Sequence, residues 1–328
     1  MRAALVKEFG PPSSLVVEEV ADPTPDRGEV VVEVAAASIN FPDILVVEGT
    51  YQNLPPLPFT PGKDAAGRVI AVGAGVDRIS VGQRVLALVE YGGYAEKLLV
   101  AEDLVTELPD GVGFEDAAAA GLAYSTAHLG LFRRGRLRPG ETALITGAGG
   151  GVGSAGVQLA RACGARVIAL VHDEARSELV QRLGADVVLR SPAAALRDDV
   201  LAATDGRGAD VVLEMLGGDY LTQAMRATAW EGRLVIVGFA SGGQNGIKPG
   251  HLLVKNISVT GLQSSDYRDR MPLLMRAGVA EVIEMLSRGE LDAAIDTTFP
   301  LERVADALQY VKDAKFAGKV VVTTGFGA

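Results

Sequence analysis

The chain has 328 residues, long enough for two domains of ordinary size, each with its own core. A hydrophobic content of 48% with 22% charged residues excludes a disordered class, and 31 Lys plus Arg against 41 Asp plus Glu leave a net charge of −10. Such a surface repels nucleic acid and anionic membrane, so neither is expected as a partner. The one cysteine, Cys163, rules out a disulfide framework and a cysteine-based metal cluster, and fits a reducing compartment. The start, MRAALVKEFG, carries no secretory signal and no stretch reaches the length of a membrane span, so a cytoplasmic protein is expected.

Residues 1–110 read as β-rich. Short runs at 30–35, 68–72, 84–88 and 95–100 are separated by Gly, Pro and Asp, which predicts a compact, partly closed barrel. The Pro-rich stretch 49–62 predicts an irregular loop of the kind that carries substrate-contacting residues. The Ala- and Leu-rich segments 114–121 and 122–131 predict helix.

At residue 142 the pattern becomes an alternation of strand and helix. Candidate strands lie at 144–146, 166–171, 186–189, 210–215, 233–237 and 257–260, with amphipathic stretches such as 174–183 between them. That is a doubly wound parallel sheet, an α/β fold. The tail predicts a helix at 271–288, a strand at 294–299, a helix at 301–313 and a last strand at 319–323, rejoining the N-terminal part. The expected domains are 1–126, 127–264 and a returning segment 265–328. No internal repeat or low-complexity segment interrupts them.

The first strand of the alternation leads into Thr146-Gly147-Ala148-Gly149-Gly150-Gly151-Val152-Gly153, then a small-residue helix, then a second strand. A glycine-rich turn in this setting suits a dinucleotide. Peptide N–H groups bare of Cβ can approach a pyrophosphate, and the helix N-terminus directs its partial positive charge at it. Gly147, Gly149, Gly150, Gly151, Val152 and Gly153 are therefore expected to bind cofactor. An NTPase phosphate loop is excluded, because Ser154 follows Gly153 with no Lys, and Gly62-Lys63 is followed by Asp64. Ligands lie at the carboxyl ends of parallel strands, which puts Gly238, Phe239, Ala240, Gly261, Leu262 and Gln263 near a nicotinamide. Met215-Leu216-Gly217 would line the adenosine side. Past the second strand, Asp173 stands at the spacing of an NAD-selecting acid; alternatively it caps the next helix, with Arg176 on a solvated face. The apolar strand at 257–262 is a candidate sheet edge, which invites pairing with a second copy.

Asn40-Phe41-Pro42-Asp43 with Gly49-Thr50-Tyr51, then Pro58-Phe59-Thr60-Pro61-Gly62, Gly92-Gly93-Tyr94-Ala95-Glu96, the glycine-rich turn and Gly318-Lys319-Val320-Val321 together resemble the zinc-independent quinone oxidoreductases of the medium-chain dehydrogenase/reductase superfamily. The resemblance covers almost the full chain. It implies a GroES-like β-barrel catalytic domain, a Rossmann domain, a cleft between them and commonly a homodimer. It also implies that Asn40 and Tyr51 face the substrate, although Leu45 stands where many relatives carry a second Tyr. Tyr51 would stabilise or protonate the acceptor oxygen, or simply pack the Pro-rich loop. Arg176 stands where relatives carry a phosphate-binding Lys, which favours NADP(H). Arg190 could add a second contact, and Thr126 and Lys319 are family-based expectations for neighbouring contacts.

Zinc enzymes of this superfamily place a Cys, a His-Glu pair and a second Cys at positions that look like Asn40, Lys63-Asp64 and Leu122 here, and the four-Cys structural lobe is missing too. A metal-free enzyme is expected. Lys63 either puts a positive charge where zinc would have been or is a surface Lys paired with Asp64. His128, His172 and His251 are scattered through separate segments and are taken as ordinary surface or core residues. Without a Lewis acid the substrate must already be electron-poor. The expected function is NADPH-dependent reduction of a quinone; the alternatives are an enoyl-thioester reductase of the same superfamily and a non-enzymatic nicotinamide-binding protein.

Overall fold

The structure is a computed structural model that describes residues 1–326. The chain forms two compact units, Met1–Ser125 together with the chain from Ser265 on, and Thr126–Ser264.

The first unit begins with β1 (Arg2–Leu5) paired antiparallel to β2 (Val16–Glu19). Then come β3 (Glu29–Ile39), α1 (Phe41–Val47), β4 (Asp64–Val72), β5 (Arg84–Leu88), β6 (Lys97–Ala101), β7 (Val105–Glu107) and α2 (Phe114–His128). The second unit carries β8 (Thr142–Ile145), α3 (Gly151–Ala162), β9 (Arg166–Leu170), α4 (Glu174–Arg182), β10 (Val187–Leu189), α5 (Ala193–Ala203), β11 (Ala209–Glu214), α6 (Gly218–Ala227), β12 (Thr228–Ile236), α7 (Pro249–Lys255) and β13 (Ser258–Gly261). The chain then adds α8 (Ser264–Arg270), α9 (Pro272–Ser287), β14 (Ile295–Pro300), α10 (Val304–Lys312) and β15 (Lys319–Thr323) to the first unit.

The sheet of the first unit runs β14-β15-β3-β4-β5-β7, with β6 also on β3. β3 is its spine: 11 residues long, it pairs with β4 on one side and with β6 and β15 on the other. Its Val30, Val32 and Val34 point into an apolar core shared with α10 and β15. β3 and β4 come so close that a Cβ on Gly67 would lie 1.9 Å from the Glu33 carbonyl oxygen, so only glycine fits there.

In the second unit six parallel strands run β10-β9-β8-β11-β12-β13, the order of a doubly wound dinucleotide-binding sheet. Each strand expected from the sequence is present. Val/Ile/Leu runs without polar alternation suit strands covered on both faces, and Leu144, Ile168, Val212 and Leu234 are fully buried.

The differences from the sequence reading are local. Residues 41–47 form α1, helped by Pro42 in its first turn and by Asp43, whose Oδ2 accepts from the Asn40 backbone N–H at 2.9 Å. The helix expected at 271–288 is present as α9, with Pro272 in its first turn, and a short helix not expected from the sequence, α8, precedes it. The helix expected through 131 ends at His128 and widens into a π-type turn, Leu129–Arg134. There Gly130 lies against Leu213, where a Cβ would come within 2.6 Å of Cδ1. Among the described residues no helix is long and apolar enough to cross a membrane.

Candidate functional site

In the second unit every β-strand ends toward one edge of the parallel sheet, so the residues following β8 to β13 gather there. After β8 the chain turns through Gly147, in the left-handed region at φ 60°, and enters α3. A Cβ on Gly153 would lie 2.3 Å from the Gly147 carbonyl oxygen, so this turn closes only without a side chain. Gly150 caps α3 with no side-chain hydrogen bond. The N–H groups of Gly151, Val152 and Gly153 therefore have no partner within the helix, and they point outward with the positive end of its dipole. That is an anion cradle, and it fits a pyrophosphate.

A buried carboxylate braces the cradle. Glu214, 0% exposed at the end of β11, accepts from Leu216 N at 3.0 Å, from Gly217 N at 3.1 Å and from Thr146 Oγ1 at 3.3 Å. Thr146 Oγ1 in turn accepts from Met215 N at 2.9 Å. Glu214 thus ties the residue before the glycine-rich turn to the loop after β11. Burial raises its pKa, and the three hydrogen bonds oppose the rise.

Asp173 caps α4: its Oδ1 accepts from Arg176 N at 2.9 Å, and its Oδ2 takes the Arg176 guanidinium. Burial would raise the Asp173 pKa, but the bond from Arg176 N and the guanidinium outweigh it and hold it below the usual range. Arg176 is not the solvated face residue of one sequence reading. It is buried, and its side chain lies across the turn, where a Cβ on Gly149 would meet it at 2.5 Å. Arg190 pairs with Glu174 on the surface. Ala240 N donates to Met215 O and Leu262 N to Ile236 O, which sets Gly238, Phe239, Ala240, Gly261, Leu262 and Gln263 at the ends of β12 and β13. Thr126 Oγ1 donates to Ser264 Oγ at 3.2 Å.

Asn40, Tyr51 and Lys319 belong to the first unit, in a buried polar cluster. Asp64, 0% exposed, accepts from Ser38 N, Ser38 Oγ, Leu122 N and Asn40 Nδ2 at 2.8 to 3.3 Å. The buried Lys319 Nζ donates to Asn40 Oδ1 at 2.8 Å and to Ile39 O at 2.9 Å. Burial lowers the Lys319 pKa, against the pull of Asp64 and Asp43. Lys63 does not pair with Asp64 at the surface. It is 3% exposed, and its Nζ reaches Glu90 Oε1 at 2.7 Å, with the Tyr51 ring centroid 4.6 Å away. The other Glu90 oxygen takes Arg268 at 2.7 Å. Sequence reasoning missed Glu90, Arg268 and Glu214. For Glu214 a signal existed, a carboxylate closing a fully apolar strand; Glu90 and Arg268 are 178 residues apart and share no motif.

Asp43 is fully buried and accepts from the Tyr94 hydroxyl at 2.6 Å. Burial pushes its pKa from 3.8 to about 6, against the pull of Lys63. The folded chain therefore takes up a proton between these values that the unfolded chain does not. Its stability gains as pH falls through 6 toward 4, by on the order of 2–3 kcal/mol over the whole window. Asp43→Asn keeps an acceptor for Tyr94 and removes the titration, so the urea midpoint of this variant should be flatter than wild type across that window. A variant with the wild-type slope would assign the proton uptake elsewhere.

Residues 151–280 match the zinc-binding dehydrogenase family, and residues 26–110 match the alcohol dehydrogenase GroES-like domain. A quinone oxidoreductase-like protein 2 homolog of Nematostella vectensis is 38% identical, over 98% of this chain and 89% of its own length. The quinone oxidoreductase of Lama guanicoe is 34% identical over 98% and 97%. Among solved structures, a mycobacterial protein complexed with NADPH aligns with a TM-score of 0.92 at 31% identity, over 98% of this chain and 100% of that one. With a GroES-like unit, a Rossmann unit and this identity over nearly its full length, the chain belongs to the quinone oxidoreductase family of the medium-chain dehydrogenase/reductase superfamily.

Proposed function

We propose that this protein is an NADPH-dependent quinone oxidoreductase that works without a metal. The observation that carries the reading is the chemistry at the positions where zinc enzymes of the superfamily keep their ligands. Asn40 has its amide oxygen taken by the Lys319 ammonium, Lys63 is itself a buried cation, and Leu122 is apolar. Two ammonium groups repel a dication, and thiolate and imidazole donors are missing, so a zinc ion does not fit. An acceptor that is electron-poor on its own account needs no such ion.

The cofactor fits the second unit. The open N–H groups of α3 suit the pyrophosphate, and the Arg176 guanidinium suits the extra phosphate of NADPH. When bound, NADPH supplies the hydride. In the first unit the Tyr51 hydroxyl makes no hydrogen bond among the described residues, so its proton is free to be given. Hydride transfer leaves an oxyanion on the acceptor; Tyr51 protonates it to the hydroquinone and recovers its own proton from water. Asn40, fixed by Lys319 and Asp64, serves as scaffold in the same unit.

The same reading takes the protein as a homodimer joined at β13. This strand ends the sheet, and its sequence Ser-Val-Thr-Gly contains neither Lys nor Pro to blunt it. On α7, just before it, Leu253 and Val254 are 79% and 78% exposed. Sedimentation should give twice the chain mass, and a monomer at micromolar concentration would remove this part.

The functional test follows NADPH and NADH absorbance with phenanthrenequinone and crotonyl-CoA in parallel, with a chelator present. Oxidation of NADPH by the quinone, indifferent to chelation, is the expected result. Turnover of crotonyl-CoA alone would assign an enoyl-thioester reductase, and binding without oxidation a non-enzymatic protein. In a second measurement, Arg176→Ala should weaken NADPH binding by about tenfold or more and NADH binding far less. An equal loss for both would take Arg176 off the phosphate.

A further inference from the structure

We propose that Lys63 is a positioning residue for Tyr51, and that Glu90 and Arg268 hold it in that role. The proposal rests on the reading of Tyr51 as the proton donor.

A buried ammonium must have its charge answered and its hydrogens placed. Lys63 Nζ meets Glu90 twice, at 2.7 Å to Oε1 and 3.2 Å to the carbonyl oxygen. The remaining side of the ammonium faces the Tyr51 ring, 4.6 Å from its centroid. A cation over a ring face is attracted to the negative face of the π-system and fixes the ring relative to itself. Tyr51 needs such fixing. It sits on the irregular stretch after α1 and is tied there by a backbone bond, its N–H to Leu45 O at 3.2 Å. Its ring rests partly buried on the core of the first unit.

Glu90 is shared. Its Oε1 takes Lys63 and its Oε2 takes the buried Arg268, at 2.7 Å each. Arg268 is itself held by Asp269 at 2.7 Å, so the two cations and two carboxylates form a neutral chain that fixes Glu90 and, through it, Lys63. A ring held in one place keeps its hydroxyl aimed at an oxyanion forming beside it. An apolar residue at 63 would still pack, but would not supply the attraction that fixes the ring.

The test uses the full-length protein and the variants Lys63→Met, Lys63→Arg, Glu90→Gln and Tyr51→Phe, with double variants in the Tyr51→Phe background. The substrates are NADPH and phenanthrenequinone, and NADPH affinity is measured separately by fluorescence. Lys63→Met should lower kcat about tenfold or more, with KM and NADPH affinity nearly unchanged. Lys63→Arg should recover most of the loss, because a guanidinium also stacks on a ring. Glu90→Gln keeps both cations, so it should give a smaller fall in kcat and serves if Lys63→Met does not fold. In the Tyr51→Phe background these changes should have almost no further effect. An equal loss of kcat in both backgrounds would overturn the proposal alone. Full activity of Tyr51→Phe would overturn the reading of Tyr51 and the proposal with it.

Discussion

The polar interior of the first unit depends on balancing charge where water is absent. Asp43 and Asp64 are buried carboxylates, and Lys63 and Lys319 are buried ammonium groups of the same unit. Each is answered by its neighbours: Lys63 by Glu90, Lys319 by Asn40 Oδ1 and Ile39 O, Asp64 by Ser38, Asn40 and Leu122, and Asp43 by Tyr94. The hydrogen bonds of Ser38, Asn40 and Leu122 to Asp64 lock the end of β3 to the start of β4 and to α2. Lys319 adds β15, a strand some 280 residues further along the chain. The ends of this unit are joined by charge as well as by the sheet.

The second unit solves a different problem. A phosphate needs peptide N–H groups brought close, and side chains are the obstacle. Glycine at 147 and 153 removes that obstacle, and the strand-to-helix geometry supplies the dipole. The price is a turn with little side-chain packing of its own, and Glu214 compensates by bonding to Thr146 on one side and to Leu216 and Gly217 on the other. The chain therefore keeps a costly buried carboxylate where an apolar residue would otherwise pack.

The chain is related to zinc-binding dehydrogenases, and its first unit buries cations of its own. A metal ion concentrates positive charge at one point by coordination. Here positive charge sits on the Lys63 ammonium and the Arg268 guanidinium, both held by Glu90, and on the Lys319 ammonium at Asn40.

The local rules were written in the sequence. Turn glycines, apolar runs and helix stops depend on near neighbours, so the parallel strands, the uncapped start of α3 and the irregular stretch after α1 could be read from it. Pairings between distant residues could not. That Lys63 turns inward to Glu90 and not to the adjacent Asp64, that Arg268 reaches Glu90, and that Arg176 lies buried across the turn all follow from strand register and helix packing. Lys63 lies in the bend before β4 and Asp64 starts the strand, so adjacency in sequence misled where the fold decided which side each charge occupies.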